Sequence, residues 1–256
     1  MSIPHLSQHV TKSTPYGVFF CFMLSCYKYE YMQCVILAAG KGTRLRPLTE
    51  NTPKPLVPVS GKPLLNHIID ALPSAVDELI IVVGYLGDQI REYYGSEFQG
   101  KKVTYIEQVE QDGTARALWL CKDLLKGRFL FMFADDIHGK DDIARVASYS
   151  RGMLAKTSDT PERFGVVVRN PDGTLSEIVE KPTHPPSNLV STGVMVLDDR
   201  IFQFEPANPV NGEYYLTEVI ERYAREYPVA VVEEQFWIPI GYPEDIVKAE
   251  TILSMR

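Results

Sequence analysis

The sequence is poor in cysteine, in regularly spaced histidine and in long apolar runs. Its four cysteines, Cys21, Cys26, Cys34 and Cys121, are too few and too irregular for a disulfide framework or a zinc site. Cys34 and Cys121 stand inside apolar runs and read as small core residues, which suits a reducing cytoplasm. The five histidines show no metal-ligand spacing. His67, in the segment PLLNHIIDAL, reads as structural, and His184 falls in a proline-rich loop. The run from Gly17 to Cys26 (GVFFCFMLSC) is much shorter than the ~20 residues a membrane span needs. No small-residue cleavage pattern follows it, so an unstructured or artefactual extension over residues 1–31 is preferred to a signal or anchor. Met32 is then the start of a single domain, residues 32–256.

A basic excess is also missing. The net charge of −7 argues against nucleic acid as a partner, while leaving room for a local basic pocket. There is no internal repeat, low-complexity tract or long linker. Neither G-x-G-x-x-G nor the P-loop pattern follows the first apolar run, which removes the usual dinucleotide-binding and P-loop readings.

What is present is a regular alternation of strand and helix patterns within an ordinary globular composition, 45% hydrophobic and 23% charged. Cys34–Leu37, Glu78–Gly84, Lys102–Gln108 and Arg128–Ala134 read as strands, the first, second and fourth as continuous apolar runs buried on both faces. Between and after them, Pro63–Leu72, Leu86–Tyr94, Thr114–Leu125 and Asp141–Leu154 read as helices. Asp141 suits a helix N-cap. This spacing implies parallel βαβ units in a three-layer α/β/α sandwich with a mixed, mostly parallel sheet. The second half is richer in strands. Phe164–Arg169 and Leu175–Glu180 flank Asn170-Pro-Asp-Gly173, a strong hairpin signal. Leu189–Leu197 and Val229–Phe236 read as strands, Tyr214–Glu226 and Pro243–Ser254 as helices.

The segment Leu37–Arg46, LAAGKGTRLR, directly follows the first strand, and Pro53-Lys-Pro-Leu56 comes soon after. Gly40 and Gly42 allow the backbone to approach a phosphate, and Lys41, Arg44 and Lys54 supply cations around it. LAAGKGTRLRPLT…TPKPLVPVSGKPLL resembles the signature of the sugar-1-phosphate nucleotidyltransferases, which make an NDP-sugar and pyrophosphate from an NTP and a sugar 1-phosphate. The resemblance runs from about Met32 to the end of the chain. It implies a Rossmann-like fold with a β-rich sugar-binding insertion, NTP and sugar 1-phosphate as partners, and Mg²⁺ as cofactor. A homo-oligomer is compatible with it.

The resemblance also implies roles. The backbone of Leu37, Ala38, Ala39 and Gly40 is expected to meet base and ribose, and Gly42, Thr43 and Arg44 the outer phosphates. Lys54 is expected at the α-phosphate and sugar phosphate. Within EQVEQDGT, Gln108 is expected at the base edge, with Gly113 and Thr114 closing the pocket. Asp135 matches the family's metal aspartate. Glu180 and Lys181, in Glu-Lys-Pro, match the residues for sugar hydroxyls and sugar phosphate, and Ser191, Thr192 and Gly193 line the sugar pocket. Two positions depart from the pattern. Ala134 replaces the glycine before the metal aspartate, and Pro239 replaces a second metal aspartate, for which proline has no donor. Asp136 is a substitute to consider.

The reaction so implied needs no acid–base residue, only positioning and neutralisation of two anions. Glucose 1-phosphate with UTP or dTTP is the expected pair, with mannose 1-phosphate and GTP the nearest competitor. Two other classes are weaker expectations, a non-catalytic NDP-sugar sensor and a glycosyltransferase of related fold. The second lacks support because no D-x-D ends the strand at Ala134.

Overall fold

The computed structural model describes residues 31–256. The expected extension over residues 1–31 lies outside the described residues except for Tyr31. Strand β1 (Met32–Ala38) is followed by a short ribbon of β2 (Pro58–Val59) and β3 (Lys62–Pro63), then α1 (Leu64–Ala71) and β4 (Val76–Val83). Next come α2 (Gly87–Tyr94), β5 (Glu97–Phe98), β6 (Lys101–Glu107), α3 (Thr114–Trp119) and β7 (Arg128–Phe133). The chain continues through β8 (Asp136–His138), α4 (Lys140–Ala147), β9 (Gly152–Thr157), the hairpin β10 (Gly165–Arg169) and β11 (Leu175–Glu180), and β12 (Leu189–Asp198). It closes with α5 (Leu216–Glu226), β13 (Ala230–Glu233), β14 (Trp237–Pro239) and α6 (Pro243–Ser254).

The main sheet is mixed, in the order β11-β10-β12-β7-β1-β4-β6-β5, with β9 paired to β12 and β13. β7, β1, β4 and β6 run parallel, and β12 enters antiparallel to β7. Because side chains alternate along a strand, each inner strand feeds both faces. Val35, Ile80, Val82, Phe129 and Phe131 point toward α3 and α5, where Leu118, Val219, Ile220 and Tyr223 meet them. Cys34, Ile36, Leu79, Ile81 and Leu130 point the other way, onto Ile68 and Ile69 of α1, Ile90 of α2 and Ile143 of α4. Two cores on opposite faces make the expected three-layer α/β/α sandwich. Each fully buried aliphatic side chain in them contributes on the order of 1.5–3 kcal/mol. A third cluster packs Leu45, Val57 and Val59 against Ile238, Ile240 and Ile246, which ties α6 to the segment after β1.

Several element boundaries differ from expectation. The helix expected to reach Leu154 stops at Ala147, and Gly152–Thr157 forms β9. A short apolar run carries no period of its own, and pairing with β12 and β13 decides it here. α4 takes Gly139, not Asp141, as its N-cap. Asp142 in its first turn instead accepts the backbone N–H groups of Gln235 and Phe236, at 3.0 and 2.9 Å. The helix expected over Thr114–Leu125 is regular only to Trp119, then continues as tight i→i−3 turns through Leu124. The strand expected over Val229–Phe236 spans Ala230–Glu233, and the separate β14 pairs with β8.

Glu78, buried in β4, accepts hydrogen bonds from Gln33 Nε2 and Lys102 Nζ, both at 2.8 Å, and from the Tyr31 hydroxyl. Burial opposes its ionisation, but the bonds from Lys102, Tyr31 and Gln33 outweigh it and hold the carboxyl down at about 2. A depressed carboxyl stabilises the fold above its ordinary value of 4.5, and the contribution fades as pH falls toward 2. Glu78→Gln is therefore expected to lower the unfolding free energy by roughly 1–3 kcal/mol at neutral pH. Denaturant titrations across pH should show that deficit shrinking below the ordinary carboxyl value. A deficit independent of pH contradicts the assignment.

Candidate active site

The chain leaves β1 toward β4 and β6, and only afterwards returns to β7 on the other edge of β1. Connections from the carboxyl ends of β1 and β7 therefore diverge, and a crevice opens between them, as at switch points of open α/β sheets. A cleft of about 640 Å³ occupies this place.

One wall is the turn after β1. Gly42 has φ 59°, in the left-handed region, and an added Cβ would stand 3.1 Å from Thr49 Cγ2 and 3.2 Å from Lys54 Cβ. Its carbonyl accepts from Thr49 Oγ1 at 2.7 Å and from Leu45 N at 2.9 Å, which closes the turn. Leu45 is drawn into the third core cluster, so Thr43 and Arg44 are left at the rim of the cleft. Lys54 opens a short 3-10 turn between Pro53 and Pro55. Its side chain is only 14% exposed, and Nζ lies 3.3 Å from Oδ2 of Asp135, the residue after β7 and Ala134.

A second wall carries Gln108, just past β6. Its amide Nε2 donates to Gly113 O at 3.2 Å and reaches Asp112 Oδ1 at 3.4 Å, which leaves Oε1 with no protein partner among the described residues. Gln111 Nε2 donates to Ala39 O at 2.9 Å and so ties this loop to the turn after β1. Gly113 and Tyr214 are zipped together: Tyr214 N donates to Asp112 O at 2.7 Å, Ala115 N to Tyr214 O at 2.9 Å, and Leu216 N to Thr114 Oγ1 at 2.9 Å. These bonds pin the starts of α3 and α5 side by side, and they explain why α5 begins at Leu216 rather than Tyr214.

The third wall comes from the strand-rich half. Glu180 ends β11, accepts from Thr217 Oγ1 at 3.2 Å, and stands 3.4 Å from Lys181 Nζ. Lys181 has φ 40°, a strained value for a residue with a side chain, and its N–H donates to Phe164 O at 3.0 Å. Its ammonium lies 5.4 Å from the centre of the Tyr215 ring. Ser191, Thr192 and Gly193 of β12 complete this side.

The residues given roles by the resemblance lie on this one cleft: Leu37, Ala38, Ala39, Gly40, Gly42, Thr43, Arg44 and Lys54 on the first wall, Gln108, Gly113 and Thr114 on the second, Asp135 on the floor, and Glu180, Lys181, Ser191, Thr192 and Gly193 on the third. Lys41, also singled out as a cation, is exposed and does not line it. Sequence reasoning missed Gln111, Arg163 and Tyr215, which also line it. Gln111 falls inside the quoted motif EQVEQDGT and Tyr215 inside the helix expected from Tyr214, whereas Arg163 had no pattern to announce it.

Asp136 does not offer a free carboxylate. Its Oδ2 accepts from Trp237 Nε1 at 2.8 Å and its Oδ1 from Ile240 N at 3.1 Å. Burial and the neighbouring Asp135 charge push its carboxyl up to about 7. Pro239, paired with it across β8 and β14, supplies no donor. Among the described residues no group of three His, Cys, Asp or Glu side chains is arranged to hold a metal. Asp135, half exposed on the cleft, is the carboxylate left for one. Such a donor set fits a magnesium ion that keeps waters and takes its other ligands from phosphate.

Comparison with known proteins agrees with this geometry. The family model for nucleotidyl transferases matches residues 33–255. The chain is 40% identical over 237 residues to the UTP–glucose-1-phosphate uridylyltransferase AglF of Haloferax volcanii, covering 87% of this chain and 97% of that protein. It is 37% identical over 225 residues to the bifunctional protein GlmU of Methanocaldococcus jannaschii, covering 87% of this chain but 54% of that protein. The chain thus spans about half the length of that relative. Among solved structures, a candidate glucose-1-phosphate thymidylyltransferase from Bacillus anthracis superposes with a TM-score of 0.77 at 29% identity, covering 86% of this chain and 94% of that one. A UDP-glucose pyrophosphorylase complexed with UDP-glucose gives 0.76 over 88% and 98%, at 21% identity, a likeness of fold alone.

The zipped loops are testable. A Cβ on Gly113, where φ is 118°, would stand 2.4 Å from both N and O of Tyr214, which are backbone atoms and cannot swing aside. Gly113→Ala is expected to cost roughly 1–3 kcal/mol in chemical unfolding, whereas Gly40→Ala should cost under about 0.5 kcal/mol. The reason is that a Cβ on Gly40 meets nothing within 4 Å. Equal stability of the two variants contradicts the packing described.

Proposed function

We propose, from the premise that the chain belongs to the nucleotidyl transferase family, that it transfers a nucleotidyl group from UTP or dTTP to glucose 1-phosphate, giving an NDP-glucose and pyrophosphate. The observation that carries this reading is the meeting of Lys54 and Lys181, from segments far apart in sequence, on the one cleft that also holds the glycine turn. A single anion would be served by the turn alone. Lysines on two walls suit two anions side by side.

The chemistry asks little of the protein beyond this. At neutral pH the sugar phosphate is already ionised, so one of its oxygens attacks the α-phosphorus directly. An oxygen–phosphorus bond forms there as the bond from the α-phosphorus to the bridging oxygen breaks, and pyrophosphate departs with that electron pair. No proton has to move. Like charges repel as the anions approach, and Lys54, Lys181 and Arg44 offset that repulsion. Asp135 would hold Mg²⁺, which when bound neutralises part of the triphosphate charge. Lys54 Nζ stands 3.3 Å from Asp135 Oδ2, and the ammonium would be released toward phosphate with Mg²⁺ at that carboxylate.

Gln108 narrows the base to those with a ring N–H donor, which includes guanine. With Nε2 spent on Gly113 O, the unpaired Oε1 is an acceptor, and it is satisfied by an imide N–H as in uracil or thymine. Cytosine and adenine present an acceptor at the corresponding ring position and would leave two acceptors facing each other. Glu180 at the end of β11 is placed to accept from sugar hydroxyls. The two described cysteines, Cys34 and Cys121, are free thiols in the core, in keeping with a cytoplasmic setting. Among the described residues, no helix is long and apolar enough to cross a membrane.

Pyrophosphate release from a matrix of NTPs and sugar 1-phosphates tests the substrate pair. UTP or dTTP with glucose 1-phosphate should be fastest, and ATP and CTP slower by ~10-fold or more. GTP with mannose 1-phosphate as the best pair would overturn the assignment. Lys54→Ala and Asp135→Ala are each expected to lower turnover by at least ~100-fold. Near-normal activity in both purified variants would refute the roles given to them.

A further inference from the structure

The rim of the cleft carries a pair of arginines around one aromatic ring. Arg44 comes from the turn after β1, Arg163 from the short turn Pro161–Arg163 that precedes β10, and Tyr242 from the loop that starts α6. The guanidinium carbon of Arg44 lies 5.8 Å from the Tyr242 ring centre, and that of Arg163 lies 5.1 Å from it. The backbone that carries the ring is anchored, because Tyr242 N donates to Asp245 Oδ2 at 2.9 Å in the cap of α6. All three segments approach the same opening, since Arg44, Arg163 and Asp245 line the cleft.

Eight of the described arginines pair with carboxylates, whereas Arg44 and Arg163, like Arg46, Arg128 and Arg256, do not. Arg44 and Arg163 are both exposed. Two like charges gathered on one ring without a counter-ion repel each other modestly in water, and the ring's quadrupole offsets that repulsion. A guanidinium held near a ring rather than by a carboxylate keeps N–H groups available for a bidentate grip on phosphate oxygens. Both guanidiniums sit at the exposed mouth, while Lys54, lower on the first wall beside Asp135, is nearly enclosed. An anion held at the mouth is therefore the outer part of a polyphosphate whose inner part reaches Lys54.

We propose that Arg163 is a second phosphate-binding arginine, which with Arg44 grips the two outer phosphates of the nucleotide and then the departing pyrophosphate. Tyr242 is the positioning residue that holds the pair. The proposal rests on the nucleotidyl-transfer reading for its substrate and adds a residue that no motif in the sequence marks. Arg163 also stands next to Phe164, whose carbonyl receives the N–H of Lys181 at 3.0 Å. The grip on the outer phosphates and the lysine on the third wall thus belong to one local segment.

Calorimetric titration of the whole chain with inorganic tripolyphosphate, in magnesium and low salt, tests it. Arg163→Ala should weaken binding by ~10-fold or more, with Arg163→Lys intermediate because a point charge replaces the fork. Tyr242→Leu should weaken it by ~3-fold, whereas Tyr242→Phe, which keeps the ring, should bind as the wild type does. The unliganded variants should melt within ~2 °C of the wild type, since the Arg163 side chain lies at the surface. Equal affinity in wild type and Arg163→Ala overturns the proposal, and so does an affinity loss that tracks a lowered melting temperature. Pyrophosphate release is measured separately. A chain that binds tripolyphosphate through Arg163 but turns over no NTP with any sugar 1-phosphate would keep the grip and remove the nucleotidyl-transfer reading.

Discussion

The pairing of β1 with β4 on one edge and β7 on the other is the constraint from which the rest follows. Both neighbours run parallel to β1, and Val35 and Ile36 are fully buried on opposite faces. A strand enclosed in this way cannot slip in register without moving its apolar residues to the wrong face. Its carboxyl end is consequently a fixed point. The glycine turn hangs from Ala38, and Asp135 follows the neighbouring end of β7, so the two approach each other without either needing a flexible arm. Leu45, buried against Ile238, Ile240 and Ile246, anchors the far end of the turn to the α6 side.

Electrostatics then divides the cleft by depth. Lys54 is shielded and paired with Asp135, whereas Arg44 and Arg163 stand in solvent. The contrast matters because an interaction between charges strengthens as water is excluded. On the proposed reading, the enclosed lysine acts where charge shifts during the reaction, and the exposed arginines act where a product must still leave. The carboxylates near the floor are divided as well. Asp136 is consumed in holding Trp237 and Ile240 in place, and Asp245 caps α6. Asp135 alone of these three is left facing the cleft for a cation, and this makes the proline at position 239 intelligible: a metal held mainly by phosphate and water asks for few protein ligands.

Much of this was legible in the sequence because the relevant signals are local. Buried parallel strands read as continuous apolar runs, and the helix expected over Pro243–Ser254 is α6, with proline in its first turn. The hairpin around Asn170–Gly173 followed from turn chemistry alone. The misreadings have a common cause. Gly152–Thr157 is apolar and short, and pairing with strands distant in the chain decides that it is β9. β8 and β14 are three residues each and exist only as partners of one another. Within the site, motif residues were found and their neighbours were not. Arg163 reaches the cleft through tertiary packing, and the oxygens of Asp136 accept from groups about a hundred residues downstream, which no local signal shows.

The most direct test of the central claim is a crystal structure of the chain with UDP-glucose, pyrophosphate and magnesium. The account predicts the products bridging the turn after β1 and the Glu180–Lys181 segment, with Lys54 moved from Asp135 toward the phosphate that joins them. Products bound elsewhere, or bound in the cleft with Lys54 and Lys181 both turned away from phosphate, would contradict it.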